Sequence, residues 1–192
     1  MSFYSIADFI RENYPEYWGI QTYPSNICVR IHKVNEEWGV FSNFAHTPIP
    51  IGTLTFKSSE QLFQLMKFRD EEPVKAVWAA NNPKMTAKKW EKTHRRDDWG
   101  KIIIDVMKYC LQQKYDNSIT FRGELERSQG KYIVEDQTTF PKKQPDAWGA
   151  KLQGDTFVGP NILGRLLMEL REHHHLNYTL PDDALTFMQW LK

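Results

Sequence analysis

The chain has 192 residues, 41% of them hydrophobic and 14% aromatic, with 25 basic and 24 acidic side chains and a formal net charge of +1. That length suits one compact domain with short extensions, and the balanced charge excludes a protein pulled to nucleic acid or membrane by a global field, leaving only local contacts. Two cysteines, Cys28 and Cys110, far apart in sequence, exclude a disulfide framework or metal knuckle; with no basic-then-apolar leader and no apolar run of bilayer length, they point to a soluble, cytoplasmic protein.

Residues 5–14 place Ile6, Phe9, Ile10 and Tyr14 near helical spacing before Pro15, which predicts a short docking helix. Residues 17–25, with Gly19 and Pro24, read as a connector, and residues 27–32 alternate like a strand with Arg30 and His32 on its polar face. Turn chemistry at residues 36–39 leads to Phe41-Ser42-Asn43-Phe44, a short polar pair between aromatics that reads as an Asx turn in a loop. An irregular passage through Pro48, Pro50 and Gly52 follows, then a short strand at residues 54–56.

Residues 58–68 (SSEQLFQLMKF) predict the central helix. Ser58 or Ser59 supplies the N-cap oxygen, with Gln61 three residues after Ser58 as a capping-box partner. At about 100° per residue, Leu62, Phe63, Leu65 and Met66 fill an apolar side, while Glu60, Gln64 and Lys67 share one polar stripe. Such a stripe is either a solvated face or, in a helix this apolar, the lining of a cavity.

A second helix is expected over residues 74–80, ended by Asn81-Asn82-Pro83, and a third from about Thr86. Within residues 84–96 fall Lys84, Lys88, Lys89, Lys92, Arg95 and Arg96, with Trp90 and His94. Such a run is a solvated face or, functionally, a phosphate-contacting face with a Trp available for stacking. Residues 99–115 form the clearest amphipathic helix, which buries Cys110 as a small hydrophobe. A short helix over residues 118–127 and a strand over residues 131–136 follow, the strand ending on Glu135 and Asp136, well placed for a cleft.

A Pro-flanked loop leads to Asp146-Ala147-Trp148-Gly149, and a turn-rich passage to Gly159-Pro160-Asn161. A helix is expected over residues 165–173; Asn161 and Gly164 at its start fit a plain cap, or one whose free N–H groups receive an anion such as pyrophosphate. His173, His174 and His175 are adjacent, so their side chains diverge and do not converge on one metal ion. A short helix near the C-terminus, with Leu185, Phe187, Met188, Trp190 and Leu191, is expected to pack back on the domain.

Seven stretches, FSNF at 41–44, SSEQLFQLMKF at 58–68, DW at 98–99, VM at 106–107, IVE at 133–135, DAWG at 146–149 and GPNILGRLLMELRE at 159–172, occur in an order that resembles the NADAR, or YbiA-like, family. The resemblance implies an α+β fold: a single, predominantly helical domain with a few short strands over residues 27–172, preceded by an N-terminal extension at 1–26 and followed by a tail at 173–192. It implies cleavage of an N-glycosidic bond, either removal of ADP-ribose from guanine in DNA or nucleotide or hydrolysis of early riboflavin-pathway intermediates; a silent ADP-ribose reader is the non-enzymatic alternative. By this resemblance Glu60, Lys67, Glu135 and Asp146 are expected to be catalytic, and Phe41, Ser42, Asn43, Gln64, Trp148, Gly149 and Asn161 to contact substrate.

The chain departs from the family pattern in having one residue, not two, between Asp146 and Trp148, Lys151 at an expected Gly, and a longer loop before Trp148 carrying Lys142 and Lys143. The basic residues Lys88, Lys89, Lys92, Arg95 and Arg96 are expected to hold DNA. No cofactor or metal and a monomeric state are expected.

Overall fold

The computed structural model describes residues 6–191. In chain order the elements are α1 (Ile6–Asn13), β1 (Gln21–Pro24), β2 (Cys28–Ile31), β3 (Ile49–Ile51), β4 (Leu54–Phe56), α2 (Ser59–Leu65), α3 (Glu71–Ala79), α4 (Pro83–His94), α5 (Trp99–Asn117), α6 (Ile119–Arg127), β5 (Tyr132–Glu135), β6 (Lys151–Gln153), β7 (Thr156–Gly159) and α7 (Ile162–His173). The fold is α+β, predominantly helical, with short strands. The expected first helix is present as α1; its residue 5, with the rest of residues 1–5 of the N-terminal extension and residue 192 of the tail, lies outside the described residues. Contacts group the chain into two units: residues up to 42 with 120–176, and residues 43–119 with 177 onward.

In the first unit, β2 pairs in parallel with β5, Val29 opposite Ile133 and Ile31 opposite Glu135. The alternation expected for β2 holds, with Val29 and Ile31 buried and Arg30 exposed. The connector and turn-rich passages instead supply a three-stranded antiparallel sheet in the order β1-β7-β6. Its strands are three or four residues long, too short for alternation to stand out from turn composition. Tyr23, Val134, Ala150 and Phe157 form a core cluster, with Cys28 and Met168 packed against it.

Helix α7 lies against β5 and begins at Ile162, three residues earlier than expected. A Cβ on Gly164 would collide with the Ile133 carbonyl oxygen, so the approach of α7 to β5 requires glycine there. Arg171 of α7 donates to the carbonyls of Ser128 (2.8 Å) and Lys131 (2.9 Å), closing the chain after α6.

In the second unit, α2 packs on α3, α4 and α5. The irregular passage before α2 contains β3, which pairs with β4 as a hairpin whose two-residue turn starts on Gly52 at φ 59°. Pro50 sits in β3 with Thr55 opposite; a two-stranded ribbon leaves an edge where a missing N–H is harmless. Helix α4 starts at Pro83, not Thr86: Asn82 is its N-cap, accepting the Met85 N–H at 3.0 Å, and Pro83 occupies the first turn, where no N–H is needed.

The amphipathic helix expected over residues 99–115 is α5, with Cys110 fully buried. The C-terminal segment packs within this unit as a 3-10 turn at Thr186–Leu191 against α3. Its Phe187 meets Phe56 edge-on at 6.1 Å, and the Trp190 indole N–H donates to the Arg69 carbonyl at 2.9 Å.

Candidate active site

The start of α2 is built by two loops. Ser58 is its N-cap, its Oγ accepting the Gln61 N–H at 3.2 Å. The capping box does not close on Ser58: Gln61 Oε1 accepts from the Lys57 N–H at 2.8 Å, and Gln61 Nε2 donates to the Trp78 carbonyl at 3.0 Å. Asn43 makes no Asx turn. Its carbonyl accepts the Glu60 N–H at 2.9 Å, its Oδ1 accepts from Ser59 Oγ at 3.0 Å, and its Nδ2 points to Met107 Sδ at 3.3 Å. Buried Asn43 thus anchors the first turn of α2 and the backbone that carries Glu60.

The helix expected over residues 58–68 ends at Leu65, so Lys67 stands in the turn just beyond α2, and the polar stripe that it continues is not a solvated face. Glu60, Gln64 and Lys67 are 5%, 3% and 7% exposed, so each needs a partner inside the protein or from a ligand. Gln64 Nε2 donates to Glu60 Oε1 at 2.8 Å, while Gln64 Oε1 is buried with no hydrogen-bond partner. Lys67 Nζ pairs with Glu91 of α4 and lies 5.7 Å and 5.6 Å from the ring centres of Phe63 and Trp99. The Arg96 N–H donates to the Lys67 carbonyl at 2.9 Å, which ties the end of α2 to the end of α4 and holds the amine beside Glu91.

Glu91 escaped the reading of the sequence, although a signal existed: it is the one acid within the basic run of residues 84–96.

Burial dominates the proton affinities of this stripe. Loss of solvent pushes the Glu60 carboxyl above its ordinary value, against the opposing influence of Lys84, the Gln64 hydrogen bond and Lys67. Burial likewise pushes the Lys67 amine below its ordinary value, although Glu91 and Glu60 favour its charged form. Both shifts move the two groups toward neutrality, where each can exchange a proton during a reaction.

The other residues expected at the site belong to the first unit, and most have structural work there. Asn161 is fully buried at φ 50° and makes no side-chain cap; its Nδ2 donates to the Ile133 carbonyl at 2.9 Å and its Oδ1 accepts the Glu135 N–H at 3.0 Å. Nor is the start of α7 an open anion site. The N–H groups of Asn161, Ile162 and Leu163 donate to the carbonyls of Gly149, Ala147 and Trp148. Asn161 therefore clamps strand to helix, and the pyrophosphate reading of this helix start is corrected.

Asp146 holds its own loop: Oδ1 accepts from Gln137 Nε2 at 2.6 Å and from the Trp148 N–H at 2.9 Å. Gly149 is buried where a Cβ would come within 2.6 Å of the Glu135 carbonyl oxygen, so packing requires a glycine there. Trp148 and Glu135 are half-buried. Phe41 is fully buried, stacked on Trp38 at 5.7 Å and edge-on to Phe121 at 5.9 Å; Ser42 beside it is half-buried.

On α4, Lys88, Lys89 and Lys92 are exposed, and Arg95 just beyond it is half-buried. Arg96 does not belong to that face. Its buried guanidinium donates to Asp98 (2.6 Å) and Asp183 (2.7 Å), and Arg69 reaches the same two carboxylates, so this cluster ties the C-terminal segment to the end of α4. His174 ends α7 at φ 57°, and no group of three potential metal ligands converges among the described residues. No helix among the described residues is long and apolar enough to cross a membrane.

Comparison with known proteins places these features. The family model described as NADAR domain matches residues 30–175. N-glycosidase YbiA of Escherichia coli (strain K12) is 30% identical over 156 residues, covering 80% of this chain and 92% of that protein. The riboflavin biosynthesis protein VVA0006 of Vibrio vulnificus (strain YJ016) is 27% identical over 174 residues, covering 84% of this chain and 44% of that protein. The solution structure of Escherichia coli YbiA matches with a TM-score of 0.61 at 27% identity, covering 81% of this chain and 93% of that one. With a family match across most of its length and relatives named N-glycosidases over nearly their whole lengths, this chain belongs to the NADAR domain family.

Proposed function

We propose that the protein is an N-glycosidase that removes ADP-ribose from guanine bases in DNA or nucleotide, with Glu60 and Lys67 as its catalytic groups. The observation that carries the reading is the buried stripe on α2: a carboxyl with raised proton affinity, an amide with an empty acceptor, and an amine with lowered proton affinity. Relatives named N-glycosidase support the reaction class.

Breaking a ribosyl C–N bond builds positive charge on the anomeric carbon. Deprotonated Glu60 stabilises that charge and takes a proton from the attacking water, and its raised proton affinity makes it a stronger base than an exposed carboxylate. A guanine joined through its exocyclic amine also allows ring opening to an imine at the sugar C1. The lone pair of neutral Lys67 Nζ then adds to C1, the guanine amine leaves with a proton, and water hydrolyses the resulting sugar imine, restoring the lysine. Glu91 gives the proton released by Lys67 a place to go. The exposed Lys88, Lys89 and Lys92 offer phosphate contacts for a DNA substrate on the same unit.

A second substrate reading has its own support. The relative named a riboflavin biosynthesis protein aligns over 84% of this chain, which favours an early riboflavin-pathway intermediate as the alternative glycoside.

Incubation with an oligonucleotide ADP-ribosylated on guanine, followed by mass spectrometry, separates the two. Release by wild type and not by Glu60→Gln is expected; no release, with cleavage of an early riboflavin-pathway intermediate, sinks the guanine reading. Borohydride added during turnover is expected to leave the sugar on wild type and not on Lys67→Ala. Full activity of that variant without an adduct excludes the covalent route.

A further inference from the structure

Helices α2 and α4 pack side by side with like ends together. At their starts, Ser58 and Gln61 of one and Pro83 of the other line a single cleft. At their far ends Lys67 Nζ meets Glu91, and the Lys67 carbonyl accepts the Arg96 N–H at 2.9 Å. Glu60 and Lys67 are seven residues apart on one segment, and Lys84 and Glu91 are seven apart on the other, so each pair keeps to one helical face. Ala87, three residues after Lys84, is fully buried, which turns that face of α4 inward. The spacing therefore sets Lys84 opposite Glu60 as it sets Glu91 opposite Lys67, two pairs of reversed charge.

Local electrostatics does not account for Lys84. It stands in the first turn of α4, where the helix dipole disfavours a cation, and no acid shares that turn. Its Nζ lies 5.8 Å from the ring centre of Phe44 and makes no ion pair among the described residues. Phe44 follows Asn43, whose carbonyl accepts the Glu60 N–H, so the ring beneath the amine belongs to the loop that anchors the acid.

We propose that Lys84 is a positioning residue of the active site, the cation that faces Glu60 across the seam of α2 and α4 and matches the pair that Glu91 makes with Lys67. Its charge favours ionised Glu60 and neutral Lys67, the two forms that the reaction needs. The other groups that bear on Glu60 are Gln64 and Lys67 from its own segment and Cys110 from α5; Glu91 bears on Lys67. Glu71, Glu72 and Lys75 of α3 are exposed. The role in catalysis rests on the N-glycosidase reading, whereas the facing of the two charges does not.

The test is the titration of the Glu60 carboxyl, followed by carbon NMR of the substrate-free protein labelled at glutamate and assigned through Glu60→Gln. Wild type, Lys84→Gln, Lys84→Arg and Lys88→Gln are compared, and because both lysines are exposed, all three variants are expected to unfold thermally as wild type does. Lys84→Gln is expected to move the Glu60 midpoint to higher pH, and the acid limb of kcat/KM with it. Lys84→Arg, which keeps the charge, and Lys88→Gln, which removes one elsewhere on α4, are expected to stay at the wild-type midpoint. A midpoint unmoved in Lys84→Gln, or moved equally by either of the other two, overturns the proposal. So does an acid limb that stays in place while KM rises at every pH, which would make Lys84 a contact for substrate. A moved midpoint in a protein that cleaves neither glycoside sinks the N-glycosidase reading and leaves the charge pair standing.

Discussion

Two buried amides, one in each unit, show opposite ways of keeping a polar group inside a protein. Asn161 uses both ends of its side chain on backbone groups, donating to the Ile133 carbonyl and accepting the Glu135 N–H. Gln64 uses one end on an ionisable carboxyl and leaves the other empty. An empty buried acceptor costs about 1–3 kcal/mol. A saturated amide is thus explained by the fold alone, whereas a half-satisfied one beside a carboxyl and an amine is what the proposed active site calls for. The cations divide in the same way: Arg96 is matched to two carboxylates, while Lys67 is buried with its proton affinity lowered despite Glu91.

The contrast can be broken most sharply at Glu60. Glu60→Gln keeps the shape of the side chain and removes the acid-base group, and turnover is expected to fall about 10²–10⁴-fold, measured as product release at saturating substrate. Its stability should respond to pH in a defined direction. A carboxyl whose folded proton affinity is raised stabilises the fold fully while it is protonated in both states, below its ordinary value of 4.5, and that contribution is lost as pH rises through the raised folded value. Denaturant unfolding of wild type should lose stability over that rise relative to Glu60→Gln; parallel profiles would mean that Glu60 is not buried in solution.

Asn161→Ala comes next. It strands the Ile133 carbonyl and the Glu135 N–H, and a loss of about 3 kcal/mol in unfolding free energy is expected. A loss below about 0.5 kcal/mol would show that the clamp is dispensable. Gln64→Leu should cost less, about 1 kcal/mol, because removal of the empty acceptor offsets part of the lost bond to Glu60, while kcat/KM falls about tenfold from one lost substrate hydrogen bond. Destabilisation of Gln64→Leu equal to that of Asn161→Ala would dissolve the distinction.

The smallest effect is expected at the surface. Lys88→Glu, Lys89→Glu and Lys92→Glu together should raise KM for modified DNA and flatten its salt dependence, sparing a free nucleoside substrate. Equal effects on both would mean that this face does not touch DNA.

The helix carrying the stripe was legible because its signals are local: a serine three residues before an amide, and three polar residues at helical spacing. Glu91 was not, since its partner stands 24 positions away. Asn161 was misread for a related reason. An asparagine before a helix has the chemistry of a cap, but the αL backbone at φ 50° and the nearby strand turn its side chain outward to β5. Phe41, two residues before Asn43, stacks on Trp38 in a buried setting that their shared motif does not reveal.

By itself, the order of the amino acids determined the helices, the cap of α2, the composition of its polar stripe and the kinship with the NADAR family, because periodicity, capping and motif order act over a few residues at a time. Only the tertiary structure decided that the stripe is buried, that Lys67 meets Glu91 and that Arg96 is held by two carboxylates. Each of these depends on loss of solvent and on partners brought from distant parts of the chain, and desolvation, which sets the proton affinities of Glu60 and Lys67, exists only once the helices have closed around them.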